Sequence, residues 1–326
     1  MLDRKKVKRG IQILSFIFVL SLFIVLIFSI KGETFLYFKK VNFFYLFLSF
    51  ISGIIYAIFA GLTFTSASLA FNKKIPPLFS IELLLSGYFL ASTTPFGSGG
   101  LPYQLFLLSR KGIKPGEGSF ALYVFGFLKY FYLFIFLLFG LKYLEIPDNP
   151  YVKASIYYIL SLILLMIVII LILLFLPENL LRKIPPKSEG RIRRTITGIF
   201  EEIIRFKKVL PLFFKNPKSL IFSLLCAFVS FLSLVLIIPF LYIGLGINVQ
   251  FFKIFALSTI IYFLVLFSPS PGAIGVAEGV SAIILAKTSN TEILPVLILL
   301  WRFFSFYVLA FTGGFFILWR ISKWKF

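Results

Sequence analysis

The sequence predicts an all-α polytopic membrane protein with a single integral membrane domain over residues 1–326. Hydrophobic residues make up 60% of the chain and charged residues only 14%. Soluble domains typically contain about a quarter charged residues. Long apolar runs recur along the chain, and short clusters of lysine and arginine separate them. This composition has too little polar surface for a soluble fold.

The residue types also exclude several kinds of site. Histidine is absent and Cys226 is the only cysteine, which excludes disulfide frameworks and imidazole or thiolate metal sites. No Walker-type lysine motif is present, and we expect no cofactor. The net charge of +21 lies in clusters between apolar runs, not on one arm or face. We therefore expect no nucleic-acid partner, but contact with anionic lipid.

The apolar segments are long enough to be membrane helices. The first, 11–30, follows a basic N-terminus like that of a signal peptide. Lys31-Gly32-Glu33 offers no small-residue cleavage site, however, and we predict a retained helix. The other segments are 43–71, 75–94, 118–140, 154–176, 219–243, 251–268 and 295–318. Two shorter pieces, 101–109 and 273–286, follow breaks rich in proline and glycine.

The positions of lysine and arginine decide between two topologies. If all eight long segments cross the membrane, the loop 177–218 and its eleven basic residues fall outside. If 75–109 and 251–286 are re-entrant hairpins that enter from opposite sides, 24 basic residues lie inside and seven outside. We therefore predict about six spanning helices and two hairpins in the inner (plasma) membrane, with both termini cytoplasmic.

The basic loop divides the chain into a first half, 1–176, a cytoplasmic linker, 177–218, and a second half, 219–326. The linker contains apolar residues at spacings of 4, 3, 4 and 3, with charged residues between them. They are Ile192, Ile196, Ile199, Ile203 and Phe206. This pattern predicts an amphipathic helix that either lies on anionic lipid or packs against the bundle.

Two breaks interrupt the hairpins, at 94–102 and 268–279. In each, Ser/Thr-Pro is followed by glycine four residues after the proline, as in Pro95 to Gly99 and Pro271 to Gly275. Proline and several glycines make a continuous helix unfavourable. A simple kink or an external loop would explain either break alone. Exposed backbone inside a bundle is tolerated only around a protein-lined or wet cavity, so the pair points to a binding site.

Each break precedes one cation in the next span. Lys129 follows Pro95 by 34 residues, and Arg302 follows Pro271 by 31. In the predicted topology these two spans run in opposite directions. We therefore predict an inverted repeat, in which each half supplies one broken hairpin and one buried cation.

Four charged residues lie away from the ends of apolar segments: Lys129, Arg302, Glu82 and Glu278. A charge at the membrane centre costs at least ~2.5 kcal/mol, so such residues usually face a partner or a cavity. We predict a Glu278–Arg302 pair, which either fastens the hairpin or forms a pocket for a lipid phosphate. Lys129 is a second phosphate contact or a snorkelling lysine. Glu82 is interpreted mainly as a packing residue.

The candidate substrate-binding residues come from both breaks and both cations. They are Arg302, Glu278, Lys129, Pro95, Gly97, Gly99, Gly100, Gln104, Pro271, Gly272 and Gly275. We assign no catalytic residue and no metal ligand.

The two breaks resemble the signatures of a known family. The first match is Pro95-Phe96-Gly97-Ser98-Gly99-Gly100-Leu101-Pro102 with the following Ser109-Arg110-Lys111-Gly112. The second, more specific match is Pro271-Gly272-Ala273-Ile274-Gly275-Val276-Ala277-Glu278-Gly279 with Trp301-Arg302-Phe303. They resemble the flippase-like lysylphosphatidylglycerol synthase transmembrane-region family, which includes the membrane half of the multiple peptide resistance factor. The likeness covers nearly the whole chain.

The resemblance implies movement of an anionic or aminoacylated phospholipid between leaflets. In the full-length resistance factor a separate cytosolic domain joins the amino acid to the lipid, whereas this chain stops at Phe326. We therefore expect lipid handling, not aminoacyl transfer, by this chain. Leu101 stands where many family members have a polar or acidic residue, and Gln104 stands where many have a basic residue.

Three functions remain open at this point. The main hypothesis is a lipid flippase-like transporter. The second is a membrane-embedded aminoacyl- or glycosyltransferase, such as a phosphatidylglycerol lysyltransferase-like enzyme. The third is a non-transporting partner of a separately encoded lipid-modifying enzyme. In each case a membrane phospholipid is the expected ligand.

Overall fold

The computed structural model describes residues 41–71, 73–94, 97–143, 176–181, 210–266 and 268–323, with isolated positions between 161 and 208. The predicted helix 11–30, most of the predicted helix 154–176 and most of the amphipathic linker helix lie outside the described residues, as does Pro95.

The described elements are all helical. In chain order the α-helices are α1 Phe43–Ser68, α2 Pro77–Ser92, α3 Gly100–Ser109, α4 Pro115–Leu141, α5 Glu178–Leu181, α6 Pro217–Gly244, α7 Phe251–Val265, α8 Val276–Leu285, α9 Leu294–Arg302 and α10 Val308–Lys323. Short 3₁₀ turns cover Leu69–Phe71 and Pro271–Ala273, and a π-helical turn, Phe303–Tyr307, joins α9 to α10.

Within the described residues, four helical stretches are long and apolar enough to cross a membrane. They are Phe43–Phe71, Pro115–Gly140, Pro217–Gly244 and Leu294–Lys323. Each coincides with a predicted span, which confirms a multi-pass helical membrane protein. The total of about six spans stays a prediction, because the segment 11–30 and most of the segment 154–176 lie outside the described residues.

The two predicted hairpins are each a pair of shorter helices separated by a break. The first consists of α2 and α3, and the second of α7 and α8. Proline occupies the first turn of α2, where its missing N–H costs no hydrogen bond. The chain then turns between Thr93 and Gly100, and again between Leu266 and Val276.

Helices α1 and α6 form the central antiparallel pair. At one end the Asn42 N–H donates to the Gly244 carbonyl at 2.8 Å, and at the other Asn216 Nδ2 donates to the Leu69 carbonyl at 3.3 Å. Between these ends the helices meet through small residues, as in the contact of 2.6 Å between the Ser66 and Ser223 hydroxyls. Small side chains allow the close backbone approach on which helix association in lipid depends.

The hairpins begin at opposite ends of this pair. The first follows directly from the Leu69 end, where the Ile75 N–H donates to the Ser68 hydroxyl at 3.2 Å. The second lies at the Asn42 end, where Tyr242, in the last turn of α6, hydrogen-bonds Thr288 at 2.8 Å. The two breaks meet between these ends, since a Cβ on Gly272 would lie 3.3 Å from the Ser92 carbonyl. Hairpins that begin at opposite ends of the pair therefore bring their tips to one place.

Candidate functional site

A cavity of about 440 Å³ lies where the two breaks meet. Its wall is formed by both hairpins, by α1, α4 and α6, and by the α9–π-turn region. Six of the predicted site residues line it: Arg302, Lys129, Gly97, Gly100, Gln104 and Gly272. The structure thus brings together residues that were predicted from two widely separated segments.

Arg302 ends α9 and is only 3% exposed. Its Nε donates to Glu278 Oε1 at 2.8 Å, and its Nη2 donates to the Gly272 carbonyl at 2.9 Å. Its guanidinium carbon also lies 4.3 Å from the centre of the Phe306 ring, a cation–π distance. The π turn follows immediately, and such turns are frequent at functional sites. Arg302 therefore joins the second break to the cavity wall.

Glu278 lies in the first turn of α8 and is not among the residues that line the cavity. One carboxylate oxygen accepts from Arg302, and the other accepts the Gly275 N–H at 2.7 Å. Gly275 has φ of +82°, a conformation that side chains with a Cβ rarely adopt. Glu278 thus caps α8 and fixes Arg302, which confirms that the predicted pair forms.

Lys129 lines the cavity from α4. No hydrogen bond or ion pair joins it to another residue in the described part of the chain. A snorkelling lysine would extend along the helix to the membrane surface. Its place on the cavity wall favours a role in the cavity over snorkelling.

The first break is held by its own backbone and by the neighbouring helices. The Gly99 N–H donates to Thr94 Oγ1 at 2.9 Å, and Gln104 Nε2 donates to the Leu83 carbonyl at 3.1 Å. Gly99 is not among the lining residues, and neither is Gly275 nor Pro271. These three residues shape the breaks, whereas their neighbours form the cavity surface.

Sequence reasoning missed the aromatic part of the wall. The Tyr56 and Tyr88 hydroxyls hydrogen-bond each other, and Trp301 Nε1 donates to the Tyr262 hydroxyl at 2.7 Å. All four rings line the cavity. Aromatic residues make up 19% of this chain, so no sequence signal separates these four from the others.

A second buried ion pair was also missed. Arg320 Nε lies 2.5 Å from Glu82 Oε1, and its Nη2 lies 2.6 Å from Glu82 Oε2. The forked geometry fastens α10 to α2, away from the cavity. Glu82 is a packing residue as interpreted from the sequence, but its partner Arg320 was not singled out there.

The cavity provides hydrogen-bond donors, hydroxyl groups and two cations inside an apolar bundle. Such a site suits the polar headgroup of an amphiphile whose acyl chains remain in lipid.

Comparison with known proteins identifies the family. The family model for the lysylphosphatidylglycerol synthase TM region matches residues 12–313. A UPF0104 membrane protein of Archaeoglobus fulgidus is 24% identical over 300 residues, which are 88% of this chain and 90% of that protein. No solved structure matches the chain significantly. The chain therefore belongs to the lysylphosphatidylglycerol synthase transmembrane-region family.

Proposed function

We propose that this protein is a lipid flippase-like transporter of the plasma membrane, which moves an anionic or aminoacylated phospholipid headgroup between leaflets. The observation that carries the proposal is the cavity at which the breaks of the two hairpins meet, with Arg302 and Lys129 in its wall. Two cations in an apolar bundle are costly, and a phosphate ligand would offset that cost. Family membership supports a lipid-related role.

The proposed path has the headgroup in the cavity and the acyl chains in the surrounding lipid. Arg302 and Lys129 attract the phosphate, while Glu278 keeps the guanidinium oriented. The tips of the two hairpins would separate alternately toward the two leaflets, as in transporters built from broken helices. Since the sequence has no nucleotide motif, we propose transport that is downhill or coupled to an ion gradient.

The proposed topology includes about six spans, cytoplasmic termini and an inverted repeat. The opposite ends at which the hairpins begin support this arrangement. A separately encoded lipid-modifying enzyme is a proposed partner, because it would supply the lipid that is moved.

The test is leaflet exchange in vesicles that contain the purified chain. Phospholipids with a fluorophore on one acyl chain are quenched from outside by dithionite, and exchange makes the inner-leaflet fraction accessible. We expect the wild-type chain to accelerate quenching of an anionic phospholipid and Arg302→Ala to abolish this effect. Equal exchange in empty vesicles would contradict the proposal. Lipid aminoacylation by the purified chain with aminoacyl-tRNA would favour the transferase hypothesis.

A further inference from the structure

The charged side chains that line the cavity are positive. Arg302 and Lys129 line it, and none of its described lining residues is an aspartate or a glutamate. Glu278 balances Arg302 at 2.8 Å, whereas Lys129 has no ion pair with any described residue. Because charge interactions strengthen away from bulk water, the uncompensated lysine attracts an anion and repels another cation.

Aromatic faces are the other means by which this wall could bind an ammonium group. The guanidinium carbon of Arg302 already lies 4.3 Å from the ring centre of Phe306 and 5.9 Å from that of Trp301. Both rings line the cavity. The protein's own cation therefore already occupies these two aromatic faces.

The uncharged polar wall is rich in hydroxyl groups. The Ser268 and Ser270 hydroxyls lie 2.9 Å apart on the second break, and Tyr262 provides another hydroxyl. Hydroxyl groups both donate and accept, so they match the hydroxyls of a polyol. In addition, α3 begins at Gly100 on the cavity wall, and the positive end of its dipole favours an anion.

We propose that the cavity selects a phosphate-bearing headgroup that carries hydroxyl groups and no ammonium group, and that it discriminates against the aminoacyl ester of the same headgroup. This inference rests on the proposed lipid-handling function and narrows its substrate class. The phosphate contacts Lys129 and Arg302, while the polyol contacts the serine and tyrosine hydroxyls.

A binding measurement tests this selectivity independently of transport. The purified full chain in an uncharged detergent is titrated with dioctanoyl phosphatidylglycerol, its lysyl ester, dioctanoyl phosphatidylcholine or glycerol 3-phosphate. Binding to the folded state raises the unfolding temperature according to ligand concentration and Kd. We expect phosphatidylglycerol to bind at least about tenfold more tightly than its lysyl ester, a readily measured difference in Kd. Phosphatidylcholine should cause no shift.

Two glutamine variants of the same helix provide the control. Lys129→Gln should abolish the preference for phosphatidylglycerol, and its own unfolding temperature shows whether it folds. Lys142→Gln makes the same change at the C-cap of α4, outside the cavity lining, and should leave the preference intact.

The outcomes separate this inference from the proposed function. Equal or tighter binding of the lysyl ester, a preference that survives Lys129→Gln, or no shift with any probe would overturn the selectivity. Lipid exchange in vesicles would still decide the transport function. A shift with glycerol 3-phosphate but with none of the lipids would support the headgroup chemistry and contradict lipid handling.

Discussion

The Nε atom of Arg302 lies 2.8 Å from Oε1 of Glu278, which joins the end of α9 to the first turn of α8. Further along the same helical stretch, Arg320 makes a forked pair with Glu82 of α2. One stretch, Leu294–Lys323, therefore holds both hairpins, each through one carboxylate. Only the pair with Arg302 borders the cavity, so the two pairs allow structural and functional effects to be separated.

Neutral variants of the Glu278–Arg302 pair, called the cavity pair below, should distinguish its effect on stability from its effect on lipid exchange. Arg302→Gln or Glu278→Gln alone leaves one buried charge without its partner, which costs about 3–5 kcal/mol at fully buried sites. The double variant removes both charges, so its unfolding temperature in detergent should return most of the way to the wild-type value. Its lipid exchange in vesicles should stay absent. A double variant that folds and exchanges lipid at the wild-type rate would show that the pair is purely structural.

The Glu82–Arg320 pair is the matched control. Glu82 and Arg320 are 8% and 21% exposed, against 17% and 4% for Glu278 and Arg302, so the two pairs are buried to a similar extent. Removing both charges of a buried pair together is often close to neutral for stability. We expect Glu82→Gln with Arg320→Gln to leave both the unfolding temperature and lipid exchange near wild type. Loss of exchange in a double variant that remains stable would place this pair on the transport path.

The sequence predicted the features that are costly in a membrane. Lys129 and Arg302 stood out because an isolated charge in an apolar segment needs a cavity or a partner. The breaks around Gly97 and Gly272 stood out because proline and glycine disfavour a helix. These two signals were enough to predict the hairpins and the cations that share a cavity.

The remaining parts of the site had no comparable signal. In lipid, the buried and exposed faces of a helix are both apolar, so the pattern does not show which tyrosine faces inward. Tyr56 and Tyr88 therefore could not be distinguished from the tyrosines on the outer surface. Arg320 had no recognisable role, because a basic residue near a chain end satisfies the orientation rule without any partner.

Replacing Lys129 by methionine should raise stability and lower activity. The ammonium group has no partner among the described residues, and a charge inside an apolar bundle is unfavourable. Methionine keeps a similar length without the charge, so the unfolding temperature should rise. Lipid exchange should fall at least about tenfold, equivalent to 1.4 kcal/mol. A lower unfolding temperature would indicate that the lysine has a stabilising partner, and unchanged exchange would remove it from the site.

The contact between the last helix and the first hairpin depends on Gly313. A Cβ at this position would lie 1.9 Å from the Leu85 carbonyl oxygen, too close for the backbones to keep their present positions. Gly313→Ala should therefore lower the unfolding temperature, although alanine is otherwise about 1 kcal/mol more favourable than glycine in a helix. Gly126→Ala in α4 is the control, since nothing lies within 4 Å of its Cβ. It should be neutral or stabilising, and equal effects of the two changes would contradict the close packing.

Opposite entry of the hairpins can be tested from the two faces of the membrane. Cys226 is buried, so Cys226→Ser gives a background for single cysteines at Lys73, before the first hairpin, and at Lys253, in the first turn of α7. In the proposed topology an impermeant maleimide labels Lys253→Cys in intact cells. It labels Lys73→Cys only after the cells are opened. Labelling of both cysteines from one face would contradict opposite entry, because the first turns of two hairpins that entered from the same side would face the same solvent.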